Sequence, residues 1–388
     1  MPSCCSKKEG SLLSQEMDHH YFNTSDSISL QLLHWKPSPG ITKQSNPVLL
    51  VHGLGNDGSL WQLTGDASIP VILSKRGYQV WAIDLRQWNN LPISNKISWT
   101  MEDYILKDIP GAIKFIQNHE SSGTNENNSK TKVHYIGHSM GAILGYSLLC
   151  TPIKNELKSF VAIAGATYYT QSYWRFALCM LPCLKSCFPY VPLRPVTYIN
   201  GINAYGCGCI AMFAANGCNI TNCDLAEIQM NHFHSVPMAL VDSLKEMTKD
   251  DGLKLLLPNS GSGKGTDEIG SNDILIQLND DENNSINTSN SNMSYATWES
   301  HIINNNTPGS LSNIPILALV GDSDLQCREG DVLRTMNILN PYSSSKNKTI
   351  VLGSAEHMHG GQSFGHFDLI LGKKTKEIVV PLILDWIG

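Results

Sequence analysis

Several features that mark other classes of protein are missing from this 388-residue sequence. No segment offers 18 uninterrupted apolar residues, so we do not expect a membrane-spanning helix. Residues 1–20 lack the apolar run of a secretory signal peptide, and we therefore expect a cytoplasmic protein. Charged residues make up only 16%, the net charge is −6, and no basic block is long enough to suggest nucleic-acid binding.

The usual metal and phosphate motifs are missing too. No two of the eleven cysteines have the C-x-x-C spacing of structural zinc sites, and no G-x-x-x-x-G-K-[ST] phosphate loop is present. We therefore expect no metal and no cofactor. In a reducing compartment most cysteines are expected to stay unpaired.

The apolar residues that are present alternate between two periodicities. Apolar runs without polar alternation are typical of strands buried on both faces, and they occur at 47–55, 78–86, 133–138, 159–166, 314–324 and 348–353. Helical periodicity follows at 100–119 and at 374–387. This alternation predicts an α/β fold, a mostly parallel sheet flanked by helices.

Composition divides the chain into five segments. We predict a flexible N-terminal tail, the first part of the sheet domain, an inserted cap, an Asn/Ser-rich disordered loop and the second part of the sheet domain, at 1–25, 26–166, 167–257, 258–312 and 313–388. The loop is too polar to fold alone. The cap is rich in aromatic residues, cysteine and proline.

The stretch GHSMG at 137–141 matches G-x-S-x-G. It follows a buried strand and precedes a helical run, the context in which this motif raises a serine on a strained strand-to-helix turn. We predict that only glycine fits at the positions of Gly137 and Gly141, because larger side chains there would collide with the neighbouring strand and helix. Ser139 is the candidate nucleophile.

A serine needs a base, and the base needs an orienting acid. The order expected along a chain with this sheet is the serine, then the acid, then the histidine. The acid should follow a late strand, where Asp324 is preferred and Asp322 is the alternative. Three histidines near the C-terminus compete as base. His366, just before the last helix, is preferred over His357 and His359.

An oxyanion formed at the serine needs preorganised donors. The stretch HGLG at 52–55 follows the first buried strand and offers a tight loop of backbone amides. The N–H groups of Leu54 and of Met140, the residue after the nucleophile, are the candidate oxyanion hole.

These stretches together resemble the α/β-hydrolase superfamily, and within it the acid-lipase-like esterase branch. The resemblance covers PVLLVHGLG, GYQVWAIDLR, VHYIGHSMG, LALVGDSDL and FGHFDLILGKKTKEIVVPLILDWI. It implies a cofactor-free enzyme that cleaves carboxylic esters, often of lipids, with Ser139 as nucleophile, Asp324 as acid and His366 as base. A hydrophobic ester is the expected substrate, while thioester and amide cleavage remain open. A catalytically inactive, lipid-binding or membrane-associated scaffold with the same fold is the alternative.

Two segments suggest contact with a membrane surface. Cys4 and Cys5 adjoin two lysines, a pattern suited to reversible acylation. Cys179, Cys183 and Cys187 of the cap have the spacing of one helix face. We interpret the cap cysteines as small apolar residues facing lipid, with acylation, zinc binding and disulfides as alternatives. The segment 230–238, which holds two histidines, either closes over the active site or packs as a helix start.

Overall fold

The fold is taken from a computed structural model, which describes residues 17–87, 99–121, 131–172, 190–191, 193, 197, 219–258, 293–343, 346–353 and 362–388. Cys4 and Cys5 lie outside these residues, as do the three cap cysteines of one predicted helix face. In the described part of the chain, Cys150 and Cys327 are buried free thiols. No helix described here combines the length and the apolar character needed to cross a bilayer.

Twelve strands are present within the described residues: β1 Met17–Asn23, β2 Ser29–Trp35, β3 Val48–Val51, β4 Val80–Ile83, β5 Val133–His138, β6 Leu157–Ile163, β7 Tyr190–Val191, β8 Val236–Pro237, β9 Lys254–Pro258, β10 Met293–Thr297, β11 Ile316–Gly321 and β12 Lys348–Leu352. Eight of them form one sheet in the order β1-β2-β4-β3-β5-β6-β11-β12. Strands β4 to β12 of this sheet pair in parallel, and β2 pairs antiparallel with both β1 and β4.

The α-helices of the described residues are α1 Ile69–Ser74, α2 Met101–Asp103, α3 Ile109–Ser121, α4 Met140–Leu148, α5 Asn222–Asn231, α6 Met238–Glu246, α7 Trp298–Asn305, α8 Glu329–Leu339, α9 Asp368–Leu371 and α10 Val380–Ile387. A π-helical turn, Tyr104–Asp108, joins α2 to α3, so the helix predicted at 100–119 is nearly continuous. A second π-helical turn, Thr375–Val379, leads into α10.

The sheet is buried on both faces, as the apolar runs predicted. In β3, Leu49 and Val51 join the core beneath α3, α4 and α8, whereas Val48 and Leu50 join the core beneath α1 and α10. This split follows from the two-residue repeat of a strand, which sends successive side chains to opposite faces. The predicted α/β fold with helices on both faces is therefore confirmed.

The predicted N-terminal tail, 1–25, is wrong from residue 17 onward. Residues 17–23 form β1, which pairs with β2 along its whole length. The segment DHHYFN has few apolar residues because an edge strand covers the core with one face only. Phe22 is 7% exposed, whereas its neighbour Tyr21 is 64% exposed.

The disordered loop predicted at 258–312 is also wrong over its last third. Strand β10 pairs with β9, and α7 follows it directly. Trp298, at the start of α7, is buried, and its Nε1–H donates a hydrogen bond to the Tyr146 carbonyl at 3.0 Å. The prediction used the mean composition of the whole segment, which is polar. Two buried side chains, Trp298 and Ile302, nevertheless pack this short helix on the core.

Candidate active site

Three loops of the predicted site leave the sheet at one edge. The HGLG loop follows β3, Ser139 follows β5, and Asp324 follows β11. These strands are parallel, so their carboxyl ends meet where open α/β sheets bind ligands. His366 is brought to the same edge by the loop that precedes α9.

Ser139 occupies a strained backbone conformation between β5 and α4, with φ +54° and ψ −119°. A non-glycine residue adopts positive φ only where its surroundings hold it there. Here the Ser139 N–H donates to the Ile163 carbonyl at 2.8 Å, and the Ser139 carbonyl accepts from the Ala142 N–H at 2.9 Å. Strand β6 and helix α4 therefore hold the serine from both sides.

The two motif glycines allow this turn to pass through a crowded space. A Cβ on Gly137 would lie 2.3 Å from the Gly141 carbonyl oxygen, and one on Gly141 would lie 2.2 Å from the Val51 carbonyl oxygen. A Cβ atom cannot lie that close to a carbonyl oxygen. The collision that the sequence predicted at both positions is therefore present, with β3 and α4 as the obstacles.

Asp324 and His366 form a buried pair. Asp324 Oδ2 accepts a hydrogen bond from the His366 Nδ1–H at 2.8 Å, and the side chains are 0% and 2% exposed. The other carboxylate oxygen accepts the backbone N–H groups of Gln326 and Cys327 at 2.8 and 2.9 Å. The carboxylate is thus fixed in orientation, and the tautomer it selects leaves a lone pair on His366 Nε2.

Asp322, the alternative acid, has a different set of partners. Its carboxylate accepts the Phe364 N–H at 2.8 Å and the Ser363 hydroxyl at 2.9 Å. It therefore shapes the segment that leads to His366 without touching the imidazole. His357 and His359, the alternative bases, lie outside the described residues.

His138, which directly precedes Ser139, contacts His366 across two loops. The His138 Nε2–H donates to the His366 carbonyl at 3.1 Å, and the two imidazole rings lie 4.9 Å apart. Within the described residues the Ser139 hydroxyl makes no hydrogen bond to His366. Such a bond is often long before substrate binds and tightens in the complex.

The HGLG loop lies against the serine. A Cβ on Gly53 would be 3.2 Å from Ser139 Cβ, which places this loop beside the candidate nucleophile. Neither the Leu54 N–H nor the Met140 N–H donates to another residue in the part of the chain that the structure describes. Both amides are therefore available to a developing oxyanion.

His52 holds the HGLG loop in shape. Its Nδ1–H donates to the Gly53 carbonyl at 2.8 Å, and its Nε2 accepts the Leu85 N–H at 3.2 Å. Burial lowers the pKa of His52 to about 4. The imidazole is therefore neutral near pH 7, which is the form that can donate at one nitrogen and accept at the other.

A contact that the sequence did not predict ties the segment 230–238 to this loop. Asp57 Oδ2 accepts a hydrogen bond from the His234 Nε2–H at 2.8 Å, and the Gly55 carbonyl accepts the His234 N–H at 2.6 Å. Asn56 donates to the His232 carbonyl at 2.9 Å. Burial raises the pKa of Asp57, but hydrogen bonds from His232, His234 and Ser59 outweigh it and leave the pKa well below its usual range. The segment runs from the end of α5 through β8 to Met238, the first residue of α6, so it leads into a helix start and packs against the HGLG loop.

A small recess opens between this segment and the HGLG loop. Its volume is only ≈ 10 Å³, and its apolar lining includes Met140, Trp99 and Val236. The rest of the lining is largely polar and includes the side chains of Asn56, Arg86, Gln87 and His234.

Comparison with known proteins supports the fold and gives a partial match to lipases. The family model described as alpha/beta hydrolase fold matches residues 46–178. A lipase-named protein of Schizosaccharomyces pombe is 30% identical over 168 residues, 39% of this chain and 35% of its own length. Triacylglycerol lipase 2 of Arabidopsis thaliana is 31% identical over 132 residues, 31% of this chain and 29% of its own length. The chain therefore spans about a third of the length of these curated relatives.

A solved structure extends the likeness to nearly the whole chain. A soluble variant of the monoglyceride lipase of Saccharomyces cerevisiae superposes with a TM-score of 0.59 and covers 97% of this chain and 96% of its own. The sequence identity is 13%, so this likeness concerns the fold.

Proposed function

We propose that the chain is a serine hydrolase of the α/β-hydrolase superfamily and that it cleaves carboxylic esters with Ser139, His366 and Asp324. The observation that carries this proposal is the buried 2.8 Å hydrogen bond between His366 Nδ1 and Asp324 Oδ2. A buried carboxylate that fixes a histidine tautomer beside a strained serine has a clear use in acyl transfer.

In the proposed mechanism the Ser139 hydroxyl oxygen attacks the ester carbonyl while His366 Nε2 takes its proton. The negative charge moves to the carbonyl oxygen, where the N–H groups of Leu54 and Met140 stabilise it. Asp324 stabilises the imidazolium and does not itself take the proton. The tetrahedral intermediate then breaks its bond to the alcohol, which leaves with the proton from His366, and Ser139 carries the acyl group as an ester.

Water completes the cycle by the reverse sequence. His366 takes a proton from the attacking water, and the same two amides stabilise the second oxyanion. The acid is released when the bond to Ser139 Oγ breaks and the oxygen regains a proton from His366. Each proton is returned, so no cofactor is needed.

The proposed substrate is an ester with a hydrophobic acyl group. Two observations support it: apolar side chains of Met140, Trp99 and Val236 form part of the recess beside the HGLG loop, and the two curated relatives compared above have lipase names. The test is the hydrolysis of a series of p-nitrophenyl esters of increasing acyl length by wild type, Ser139→Ala and Ser147→Ala. Ser147 lies in the same helix, with its hydroxyl bonded to the Ile143 carbonyl, and serves as the matched control.

We expect wild type and the Ser147→Ala variant to hydrolyse these esters and the Ser139→Ala variant to lose activity by several powers of ten. Rates that rise with acyl length would support a hydrophobic substrate. If folded wild type hydrolysed no ester in the series, the inactive scaffold would be the better account.

We further propose that the protein is cytoplasmic and is held at membranes by acylation of Cys4 and Cys5. The adjacent lysines, Lys7 and Lys8, support this because they would add attraction to an anionic lipid surface. Replacing both cysteines by serine should move the protein from the membrane to the soluble fraction of a cell lysate. Wild type found only in the soluble fraction would contradict the anchor.

A further inference from the structure

Three histidines outside the active site converge at the β1 edge of the sheet. His20 comes from β1, His34 from β2 and His119 from the last turn of α3. One ring nitrogen of each lies within 4.8 Å of the corresponding nitrogen of the other two. The residues share no element with Ser139, Asp324 or His366.

His34 is the most rigidly held of the three. Its ring is fully buried and stacks on Trp81, with 3.6 Å between ring centroids and 3° between ring planes. Its Nε2–H donates to Gln79 Oε1 at 2.7 Å. The tautomer is therefore fixed with a lone pair on Nδ1, and this buried nitrogen has no hydrogen-bond partner among the described residues.

His20 and His119 complete the cluster. His20 Nε2 is also buried without a hydrogen-bond partner in the described part of the chain. The His119 Nδ1–H donates to Glu120 Oε1 at 3.4 Å, which leaves the lone pair on its Nε2. The side chain of His119 is 36% exposed, so solvent can reach the cluster from this side.

Two buried imidazole nitrogens without partners are unusual, because a buried polar atom normally finds a hydrogen bond. Burial, and then the proximity of His119, lower the pKa of His20. Burial lowers the pKa of His34 to about 3, and the charge of a protonated His119 would act in the same direction. Neutral rings with unshared lone pairs are the form in which histidine binds metal ions.

We propose that His20, His34 and His119 form a binding site for a divalent cation of the zinc type. Three imidazoles suit Zn²⁺, and solvent would supply a fourth ligand through the exposed side of His119. Tetrahedral Zn²⁺ with bonds of 2.0–2.1 Å would bring the ligand nitrogens to about 3.3 Å from one another. His34 is fixed in place by Trp81 and Gln79. His20 on the edge strand and His119 at the helix end would therefore move toward His34 to reach this spacing.

The hydrogen bond from His34 to Gln79 has the character of an outer contact that orients a metal ligand. The bound ion would join three elements: β1, β2 and the C-terminal end of α3. Since β1 is an edge strand that contributes little apolar surface, such a link would hold it on the sheet. Sequence gave no signal for this site because its ligands come from three separate elements and do not match any short metal-binding motif.

The test measures Zn²⁺ binding to the full chain after treatment with a chelator, by equilibrium dialysis against buffered free Zn²⁺. The variants are His20→Ala and His119→Ala, and the matched control is His19→Ala. His19 neighbours His20 in β1 but is exposed, and its Nδ1 accepts a hydrogen bond from Gln31 at 2.8 Å. We expect wild type and the His19→Ala variant to bind one Zn²⁺ and to gain thermal stability with it. Each of the other two variants should lose affinity at least about tenfold.

A second measurement distinguishes metal binding at these histidines from metal binding at the cysteines of the chain. Co²⁺ bound by three imidazoles and water gives visible d–d bands without a thiolate charge-transfer band, and His119→Ala should remove those bands. Because the His119 side chain is exposed, its loss should leave the metal-free melting temperature close to that of wild type. Wild type that binds no Zn²⁺ would overturn the proposal. So would binding that His20→Ala and His119→Ala leave unchanged, or that His19→Ala weakens equally.

Discussion

Single residues determine whether the serine at position 139 can act. Its backbone stores strain on the order of 1–3 kcal/mol, which the hydrogen bonds from β6 and α4 maintain. This strain was predictable from sequence, because a glycine two residues before the serine and another two residues after it are typical of a strained strand-to-helix turn. The choice between Asp322 and Asp324 was not predictable in the same way. Both follow the same strand, and only the path of the loop before α9 decides which carboxylate meets the imidazole.

Replacing Asp324 by asparagine should lower kcat for ester hydrolysis by up to about 10⁴-fold. The amide would keep the shape and one acceptor oxygen for the Gln326 and Cys327 N–H groups. Its NH₂ group, however, would face His366 Nδ1 and favour the tautomer with a proton on Nε2. That tautomer cannot accept the serine proton. Steady-state kinetics on a p-nitrophenyl ester would measure the loss.

Asp322→Asn is the control for this prediction. Asparagine can still accept the Phe364 N–H, so the loop before His366 should keep its path and most of the activity should remain. Equal losses in the two variants would show that His366 does not depend on Asp324 in the way we propose.

At the scale of secondary-structure elements, buried strands were easier to predict than surface ones. The runs that became β3, β4, β5, β6 and β11 are apolar on both faces, and their sequence alone reveals it. Strand β1 and helix α7 are apolar on one face only. Their few buried side chains, such as Phe22 and Trp298, are outnumbered by polar neighbours, so composition assigned them to a tail and a loop.

The packing of β1 can be tested by comparing two adjacent aromatic residues. Phe22→Ala should lower the free energy of unfolding by about 3 kcal/mol, because the ring is buried and packs against Gly111 of α3. Tyr21→Ala, at an exposed position of the same strand, should change it by less than about 0.5 kcal/mol. Urea denaturation of both variants provides the measurement. Equal, small effects would mean that β1 does not contribute to the fold.

For the molecule as a whole, buried neutral histidines link stability to pH. Burial lowers the pKa of His34 to about 3 and the pKa of His52 and His134 to about 4. Burial and the neighbouring His366 also hold the pKa of His138 well below its usual value. In the unfolded chain these groups take up protons near pH 6.5.

The unfolded state therefore binds more protons than the folded state between about pH 6.5 and pH 4, and stability falls as the pH falls. Each histidine contributes about 1.4 kcal/mol per pH unit within this window. Asp84 acts in the opposite sense, because burial raises its pKa to about 6 and the folded state keeps that proton. The histidines outnumber it, so the net slope stays positive.

Urea unfolding at about pH 7 and about pH 5 should show a clear loss of stability at the lower pH. His134→Gln, which removes one of the buried histidines, should flatten this dependence by roughly one proton. Stability that stays constant or rises on acidification would contradict the assignment of these histidines as neutral.

The sequence did not predict contacts between side chains that lie far apart in the chain. The bond between Asp57 and His234 joins two residues far apart in the chain, and so does the convergence of His20, His34 and His119. Each residue taken alone has the character of an ordinary surface or core residue. Only the fold brings them together.

The most direct test of the central claim is covalent labelling with a fluorophosphonate, followed by peptide mass spectrometry of the adduct. We predict a single adduct in the peptide that contains Ser139, retained in Ser147→Ala and absent from Ser139→Ala. An adduct on another residue, or labelling that persists in a folded Ser139→Ala variant, would contradict the account.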